Sequence, residues 1–202
     1  FDAGPTVITA PFLFDELFEL LSKKREKYIK FVKLEPWYRF YFSENNKHFD
    51  YSESLKKTEK EIAKFNKEDI EGYYKLVAFS EKIFNVGFLK LSTAPFHNFF
   101  FMLKQLPSLF KLKSYHTVFG LVGKFIKNKQ LRQALSIQPL LLGGNPTSTT
   151  SIYNLIHFLE RKWGVHYAVG GTGASRSRWV AAVSGIKTLS IASRFWALSI
   201  SL

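Results

Sequence analysis

The chain has 202 residues, enough for one domain, and its 46% hydrophobic and 17% aromatic content suffices for a buried core. It contains no cysteine and its five histidines form no HExxH pattern, so disulfides are excluded and we expect no metal site. The net charge of +13 lies almost entirely in residues 82–202, which hold 15 Lys or Arg and one acid, Glu160. Such a basic half favours a phosphodiester or a lipid headgroup as partner, although a solvated basic face explains it equally well.

The N-terminal part of the sequence predicts a strand, a helix and a small antiparallel unit. FDAGPTVIT reads as a strand that enters a tight turn, and Thr9 is expected to cap a helix over residues 10–22 with Asp15 and Glu16 near its positive end. Three runs of aromatic and β-branched residues then predict strands that form the antiparallel unit: 28–34, 37–42 and 47–51.

The middle of the chain predicts helices. A Lys/Glu-rich helix begins at Ser54, and Asn66 is expected to cap the next one. Further helical pieces occupy residues 97–135, broken by Pro107. A helix over residues 151–163 follows a Thr cap and ends at Gly164, and its Glu160 is interpreted as a surface charge.

Two glycine-rich turns are candidate binding loops. VHYAV (165–169) predicts a strand that runs into GGTGA (170–174), a geometry that lets backbone N–H groups approach a phosphate or a flavin. The turn lacks the third glycine of GxGxxG and the segment after it does not predict a good helix, so an ordinary loop is the alternative. The other turn, within residues 140–153, is explained by a loop and a helix cap. No nucleophile elbow, Walker loop or carboxylate pair is present, which disfavours a hydrolase.

Residues 88–113 interleave lysine with phenylalanine and contain no acid. Such a segment can lie in a membrane interface, with its rings in the acyl boundary and its lysines reaching the headgroups. A core helix with its lysines pointing outward has the same pattern.

Several uncommon strings, taken in order, resemble one family. FDAGPTVIT, PWYRFYF, FNKEDIEGY, LRQALSIQPLLLGGNP and SIYNLIHFLERKWGVHYAVGGTGA are very similar, in sequence and spacing, to the bacterial-type phytoene desaturases, which are FAD-dependent carotenoid desaturases of the amine-oxidase-like flavoprotein superfamily. The resemblance covers residues 1–174. Because the family's GxGxxG unit and its C-terminal half have no counterpart in these strings, the chain is expected to be an internal fragment.

The resemblance implies an α+β fold: part of a flavoprotein, mainly its helical substrate-binding and membrane-associated region with a small antiparallel sheet, without the N-terminal Rossmann unit. For the intact enzyme it implies that FAD takes a hydride from a phytoene-like C40 carotenoid precursor, at the cytoplasmic face of the membrane, in a peripheral protein with no nucleic-acid partner. This chain alone is expected to be inactive and not to retain FAD. Flavin contact is expected at Gly4, Pro5, Thr6, Gly170, Gly171 and Gly173. Substrate contact is expected at Phe96, Phe99, Phe100, Leu103, Leu142, Asn145 and Ile152.

The chain departs from the family pattern at three places. Thr147 stands where the family usually has Phe after GGNP, and Phe100-Phe101 precede Met102-Leu103 where many members carry Arg-Asp, so no catalytic residue is assigned. After Ala174 the resemblance stops, and residues 175–202 have no acid and seven Ser, which is expected of a poorly packed, non-homologous tail and is explained most simply by a frame shift. An intact frame in sequencing reads across the Ala174 codon would contradict that explanation.

Two alternatives to the desaturase stay open. A basic, aromatic-rich nucleic-acid-binding module predicts aromatic residues that alternate with cations on strands, but here the strand aromatics fall in the nearly neutral half of the chain. The other alternative is an inactive gene remnant.

Overall fold

The computed structural model describes residues 6–87 and 114–183, which contain helices and two small antiparallel sheets, as the expected α+β class requires. The strands are β1 (Phe31–Lys33), β2 (Tyr38–Phe42), β3 (Lys47–Tyr51) and β4 (His166–Ala168). The α-helices are α1 (Pro11–Glu19), α2 (Leu55–Ala63), α3 (Asp69–Gly87), α4 (Val118–Val122), α5 (Lys129–Ala134), α6 (Leu155–Trp163) and α7 (Gly171–Val183). Short 3₁₀ turns lie at Arg25–Lys27, Gln138–Leu142 and Ser151–Asn154. The described residues fall into two compact units, 6–34 with 163–183 and 35–87 with 114–162.

The first unit is built on the pairing of β1 with β4, in which Phe31 lies opposite Ala168. Ile8 and His166 exchange backbone hydrogen bonds of 3.0 and 2.9 Å and so add the N-terminal segment to β4. The prediction that the 28–34 run joins the 37–42 and 47–51 runs in one antiparallel unit is therefore wrong. The residues between these runs include Pro36 and lack the Gly or Asn that a two-residue hairpin turn favours, so β1 pairs instead with a strand from the other end of the sequence.

Helix α1 begins and ends inside the predicted range of 10–22. Ala10, not Thr9, is the N-cap residue, because Pro11 occupies the first helical position and needs no N–H partner. Asp15 lies beyond the first turn of α1, and its carboxylate accepts a hydrogen bond from Arg25 at 2.6 Å. The acid thus joins α1 to the 3₁₀ turn that follows it.

Helix α7 packs on the core of the first unit. The buried residues Phe18, Ile29, Ala168 and Ala182 form one cluster, and Trp179 packs against it with its ring edge-on to Phe18 at 5.1 Å between centroids. One expectation is wrong here, because the segment after the glycine turn is helical. The expected poor packing is met in part: Trp179 and Ala182 pack on this core, whereas Val180 is 57% exposed. The tail beyond residue 183 lies outside the described residues.

The second unit combines the β2–β3 hairpin with helices α2 to α6. As predicted, a helix begins after Ser54, whose hydroxyl accepts a hydrogen bond from Lys57 N, and Asn66 accepts one from Glu68 N at the start of α3. Of the predicted helical pieces between residues 97 and 135, the described part contains α4 and α5. Gly164 ends α6 with a φ of 81°, again as predicted.

Two close contacts join α3 to the chain segment between α4 and α5. The carboxylate of the buried Asp69 accepts hydrogen bonds from the backbone N–H groups of Lys127 and Asn128, at 2.7 and 2.8 Å. One turn further along, Gly72 lies so close to the Phe125 carbonyl that a Cβ at position 72 would stand 2.0 Å from that oxygen. Only glycine allows this approach, because backbone cannot move aside as a flexible side chain can.

We expect Gly72→Ala to lower the free energy of unfolding by about 3 kcal/mol, because the added methyl group must separate α3 from the Phe125 carbonyl. Gly173→Ala is the matched control, since a Cβ there meets nothing within 4 Å. It should leave the free energy unchanged or raise it by up to about 1 kcal/mol. Urea unfolding of both variants measures the difference, and equal stabilities would contradict the contact.

Candidate functional site

The glycine turn between β4 and α7 has the backbone that its sequence predicts. Gly170 and Gly171 have φ values of 88° and 77°, a conformation that residues with a side chain rarely adopt. The strand, the glycine turn and the helix therefore follow one another as in loops that bring backbone N–H groups close to a ligand. A helix N-terminus alone does not define a ligand, and the surroundings of this turn decide what it can bind.

An apolar cavity of about 310 Å³ lies beside the turn, within the first unit. Its walls come from the N-terminal segment, α1, β4 and α7, and most of its lining side chains are aliphatic or aromatic. Its polar lining consists of Thr6, Thr172, Ser175 and Arg176, with Gly171 at the turn. Because the lining is apolar with a few hydroxyl groups and one cation on α7, it suits a flat apolar ligand with a small number of polar atoms.

The expected flavin-contact residues fall partly in this cavity. Thr6 and Gly171, from opposite ends of the sequence, both line it. Gly170 is in the same turn, and Gly173 lies on α7 with open space where a Cβ would be. Gly4 and Pro5 lie outside the described residues. Flavin contact by these residues stays a prediction.

The expected substrate-contact residues do not form one site in the described part of the chain. Phe96, Phe99, Phe100 and Leu103 lie outside the described residues. Leu142 is exposed at the end of a 3₁₀ turn. Asn145 is exposed too, and its side-chain oxygen accepts hydrogen bonds from Thr147 within a local turn. Ile152 packs instead against the buried Ile83 and Leu121. Their role in substrate binding stays a prediction.

The second unit contains a buried polar cluster that the sequence reading missed. Glu160, expected on the surface, is fully buried, and so is His157 on the same helix. Tyr38 donates a hydrogen bond to Glu160 Oε1 at 2.9 Å, and His157 Nε2 lies 2.9 Å from the carbonyl oxygen of Leu135. A signal was present in the sequence: Glu160 follows Ile156 by four residues, so both positions share the apolar face of α6.

Arg161 is held by ring faces and carbonyl groups. Its guanidinium lies over the rings of Trp37, Tyr51 and Tyr73, at 4.5, 4.8 and 5.5 Å from their centroids. The same group donates to the carbonyl oxygens of Ser52 and Glu53, at 2.8 and 2.9 Å. The cation therefore joins α6 to β3 and α3, and its charge is offset by oxygen atoms and aromatic faces.

Burial changes the acid–base behaviour of this cluster. It lowers the pKa of His157 to about 4, mainly because the charged imidazolium would lose its hydration in the core. It raises the pKa of Glu160 to about 7 for the same reason. Neither side chain is accessible to an external substrate. The described residues, in both ranges, contain no group of three His, Asp or Glu that could hold a metal ion.

The sequence comparisons agree with the resemblance. The chain is 45% identical over 174 residues to the phytoene desaturase (lycopene-forming) of Pseudescherichia vulneris and to that of Pantoea ananas, in each case over 86% of this chain and 35% of the relative. It is 34% identical over 174 residues to the neurosporene-forming phytoene desaturase of Rhodobacter capsulatus, over 86% of this chain and 33% of that protein. No model of a known protein family matches.

The matched segment places the chain in a family of carotenoid-modifying oxidoreductases. Within it, the chain belongs to the bacterial phytoene desaturases, as its sequence strings indicated. It spans about a third of the length of the curated relatives that it matches.

We expect His157 to make the stability of the chain pH-dependent. Between its folded pKa of about 4 and its ordinary value of 6.5, the unfolded state binds more protons than the folded state, so stability falls as the pH is lowered through this range. The total loss is about 3 kcal/mol. Glu160 acts in the opposite sense, so the effect is measured by comparing unfolding of Glu160→Gln with that of the double variant Glu160→Gln/His157→Gln from pH 4 to 7. Parallel pH profiles of these two proteins would contradict the expectation.

Proposed function

We propose that the protein containing this chain is an FAD-dependent carotenoid desaturase that dehydrogenates a phytoene-like C40 polyene. One observation carries the proposal: Thr6 and Gly171, which the resemblance assigns to flavin contact, line the same apolar cavity although they come from opposite ends of the sequence. The relatives named phytoene desaturase support the same activity class.

The cavity residues fit part of a flavin. The apolar walls suit a ring system, and the positive φ angles of Gly170 and Gly171 leave the turn free of side chains on the approach. Thr6 and Thr172 would offer hydroxyl groups to ring heteroatoms, and Phe18 with Trp179 would exclude water. When bound, FAD supplies the hydride acceptor, which is chemistry that no side chain of the cavity provides.

The protein's own part in the reaction would be to position the reactants rather than to supply an acid–base pair. Of the groups with large pKa shifts, His157 and Glu160 are fully buried, so neither can act on a substrate from outside the fold. The cavity itself is lined by hydroxyl groups and Arg176 and by no carboxylate. Hydride removal from a hydrocarbon requires close approach and exclusion of water, which an apolar wall supplies.

An exchange experiment tests the activity. Residues 1–174 replace the aligned segment in the Pantoea ananas relative, and the chimaera is assayed for coloured product formed from phytoene and for bound flavin. We expect both to be retained, because the exchanged segment carries the glycine turn and the cavity wall up to Ala174, and the relative supplies the residues that follow. The 202-residue chain alone is the comparison; it contains no GxGxxG sequence and is expected not to retain FAD.

Two variants of the chimaera separate the site from the scaffold. Gly171→Val should lose flavin and product, because a β-branched side chain at a φ of 77° distorts the turn and enters the cavity. Val169→Ala should keep both, because this exposed side chain precedes the turn and does not line the cavity. A well-folded chimaera that binds flavin and makes no product from phytoene would contradict the substrate class. One in which Gly171→Val keeps full flavin would contradict the site.

The proposed substrate also suggests where in the cell the protein acts. A C40 hydrocarbon dissolves in the bilayer, so we propose that the enzyme is peripheral at the cytoplasmic membrane face and takes its substrate from there. The Phe/Lys segment 88–113 would supply the contact; it lies outside the described residues. Within the two described ranges, no helix has the length and apolar character needed to cross a bilayer.

We expect the chain to sediment with vesicles that contain anionic phosphatidylglycerol, and to be released by salt only in part. About 0.5 M salt screens the lysine contribution, whereas inserted rings are not screened. Vesicles of phosphatidylcholine alone are the control and should bind less protein. Complete release by salt would mean that the membrane contact is electrostatic alone, and it would contradict ring insertion.

The nucleic-acid alternative is not favoured. The hairpin aromatics Phe40 and Phe49 stack on each other within the fold at 6.0 Å between centroids, and Phe49 is fully buried, so they form no open stacking platform. The opposite side of the hairpin carries the ion pair of Arg39 with Asp50.

A further inference from the structure

The hydrogen bonds around His157 have a fixed direction. The Leu135 carbonyl can only accept, so His157 Nε2 carries the proton in the 2.9 Å contact between them. In a neutral ring Nδ1 is then an acceptor, and the side-chain amide of Gln138 donates to it from 3.2 Å. This orientation of Gln138 leaves its carbonyl oxygen, Oε1, facing away from the imidazole.

Two acceptor atoms next to these hydrogen bonds have no donor among the described residues. Gln138 Oε1 and Glu160 Oε2 are both buried, and neither has a hydrogen-bond partner within the described part of the protein. The Gln138 side chain lies within interaction distance of the Glu160 carboxyl group, whose other oxygen already accepts from Tyr38 at 2.9 Å. Two buried acceptors without a donor are costly, and one proton on Glu160 Oε2 removes both deficits at once.

Among the described residues, no lysine or arginine forms an ion pair with Glu160. Arg161 directs its hydrogen bonds to the carbonyl oxygens of Ser52 and Glu53 and to Thr58 Oγ1. His157 Nδ1 is 3.9 Å from Glu160 Oε2, too far for a charge-assisted hydrogen bond of about 2.7–2.9 Å. A carboxylate here would therefore be a buried charge with one hydrogen bond.

We propose that Glu160 is a proton-binding site in the core: it carries a proton in slightly acidic to neutral solution and donates it from Oε2 to Gln138 Oε1. The proton completes a directed chain of hydrogen bonds from Tyr38 through Glu160, Gln138 and His157 to the Leu135 carbonyl. This series of hydrogen bonds connects β2, α6 and the 3₁₀ turn at Gln138–Leu142, so the packing of these elements depends on one titratable group. This site is independent of the proposed desaturase activity.

The electrostatic surroundings agree with this geometry. The groups that face Glu160 are Tyr38 from β2, Tyr51 from β3, Gln138 from the 3₁₀ turn and Arg161 with His157 from α6. Burial outweighs the opposing influence of Tyr38 and Arg161 and raises the pKa of Glu160 to about 7. The amide nitrogen of Gln138 would also favour the carboxylate, but it donates to His157 Nδ1, and Glu160 Oε2 accepts no hydrogen bond from it.

Infrared spectroscopy of the full 202-residue chain tests the proton directly. With 13C-labelled glutamate, the folded protein at pH 6 should show the C=O band of a protonated carboxylic acid, which Glu160→Gln removes. Glu81→Gln changes an exposed glutamate in the same way and should leave the band in place. Gln138→Met removes the acceptor, so the band should move to higher frequency. Absence of the band in the folded wild-type chain, or its persistence in Glu160→Gln, would overturn the proposal.

Stability measurements give a second readout. Gln at position 160 keeps the donor and the acceptor of the protonated acid and cannot ionise. Between the ordinary pKa of 4.5 and about 7 the folded wild type binds more protons than its unfolded state, so its stability falls as the pH rises. The unfolding constant of the wild type relative to Glu160→Gln should therefore increase on the order of a hundredfold from pH 4.5 to 7.5.

The same experiment separates the competing account. If Glu160 were an ionised partner of Arg161 or His157, Glu160→Gln would unfold more readily than the wild type at pH 7.5. A constant ratio across the pH range, or a variant that fails to fold although Glu81→Gln folds, would equally contradict a protonated acid, because glutamine is its neutral isostere.

Discussion

The second unit depends on how the partly buried Arg161 is held. A guanidinium is always charged, so it can enter a core only where its donors meet oxygen atoms and its faces meet aromatic rings. Here the carbonyl groups at the end of β3 supply the oxygen atoms, and Trp37, Tyr51 and Tyr73 supply the rings. These rings come from the start of the hairpin, from β3 and from α3, and they precede Arg161 by 88 to 124 residues, so distant parts of the sequence set the position of α6.

Local features of the sequence predicted most helices and strands, whereas they did not predict which strands pair with each other. Ser54, Asn66 and Gly164 act at the helix ends where their chemistry predicted them, because caps depend on neighbours within a few residues. The partner of β1 could not be read, since three extended residues fit either β2 or β4 until the whole chain is placed. The burial of Glu160 was missed for a related reason: charge predicts exposure unless partners from other elements are known.

The candidate site shows the same division between local and non-local information. The positive φ angles of Gly170 and Gly171 follow from the sequence of the turn. The cavity beside them does not, because its walls combine Thr6 and Ile8 with α1 and α7. Trp179 closes part of that wall, although its segment lacks the apolar periodicity of a typical amphipathic helix. Tertiary packing, rather than local pattern, makes this segment part of the unit.

Glu160 and Arg161 are neighbours on one helix, and the contrast between them explains why their surroundings differ. The arginine keeps its charge at any accessible pH, so the fold must provide carbonyl groups and ring faces around it. The glutamate can become neutral, so a single acceptor, Gln138, and a single donor, Tyr38, are enough. A cation next to a carboxyl group would ordinarily favour its ionised form. Because Arg161 is already engaged with carbonyl groups and aromatic rings, its influence is weaker than the cost of dehydrating a carboxylate. The buried Glu160 and the partly buried Arg161 are therefore neighbours that form no ion pair.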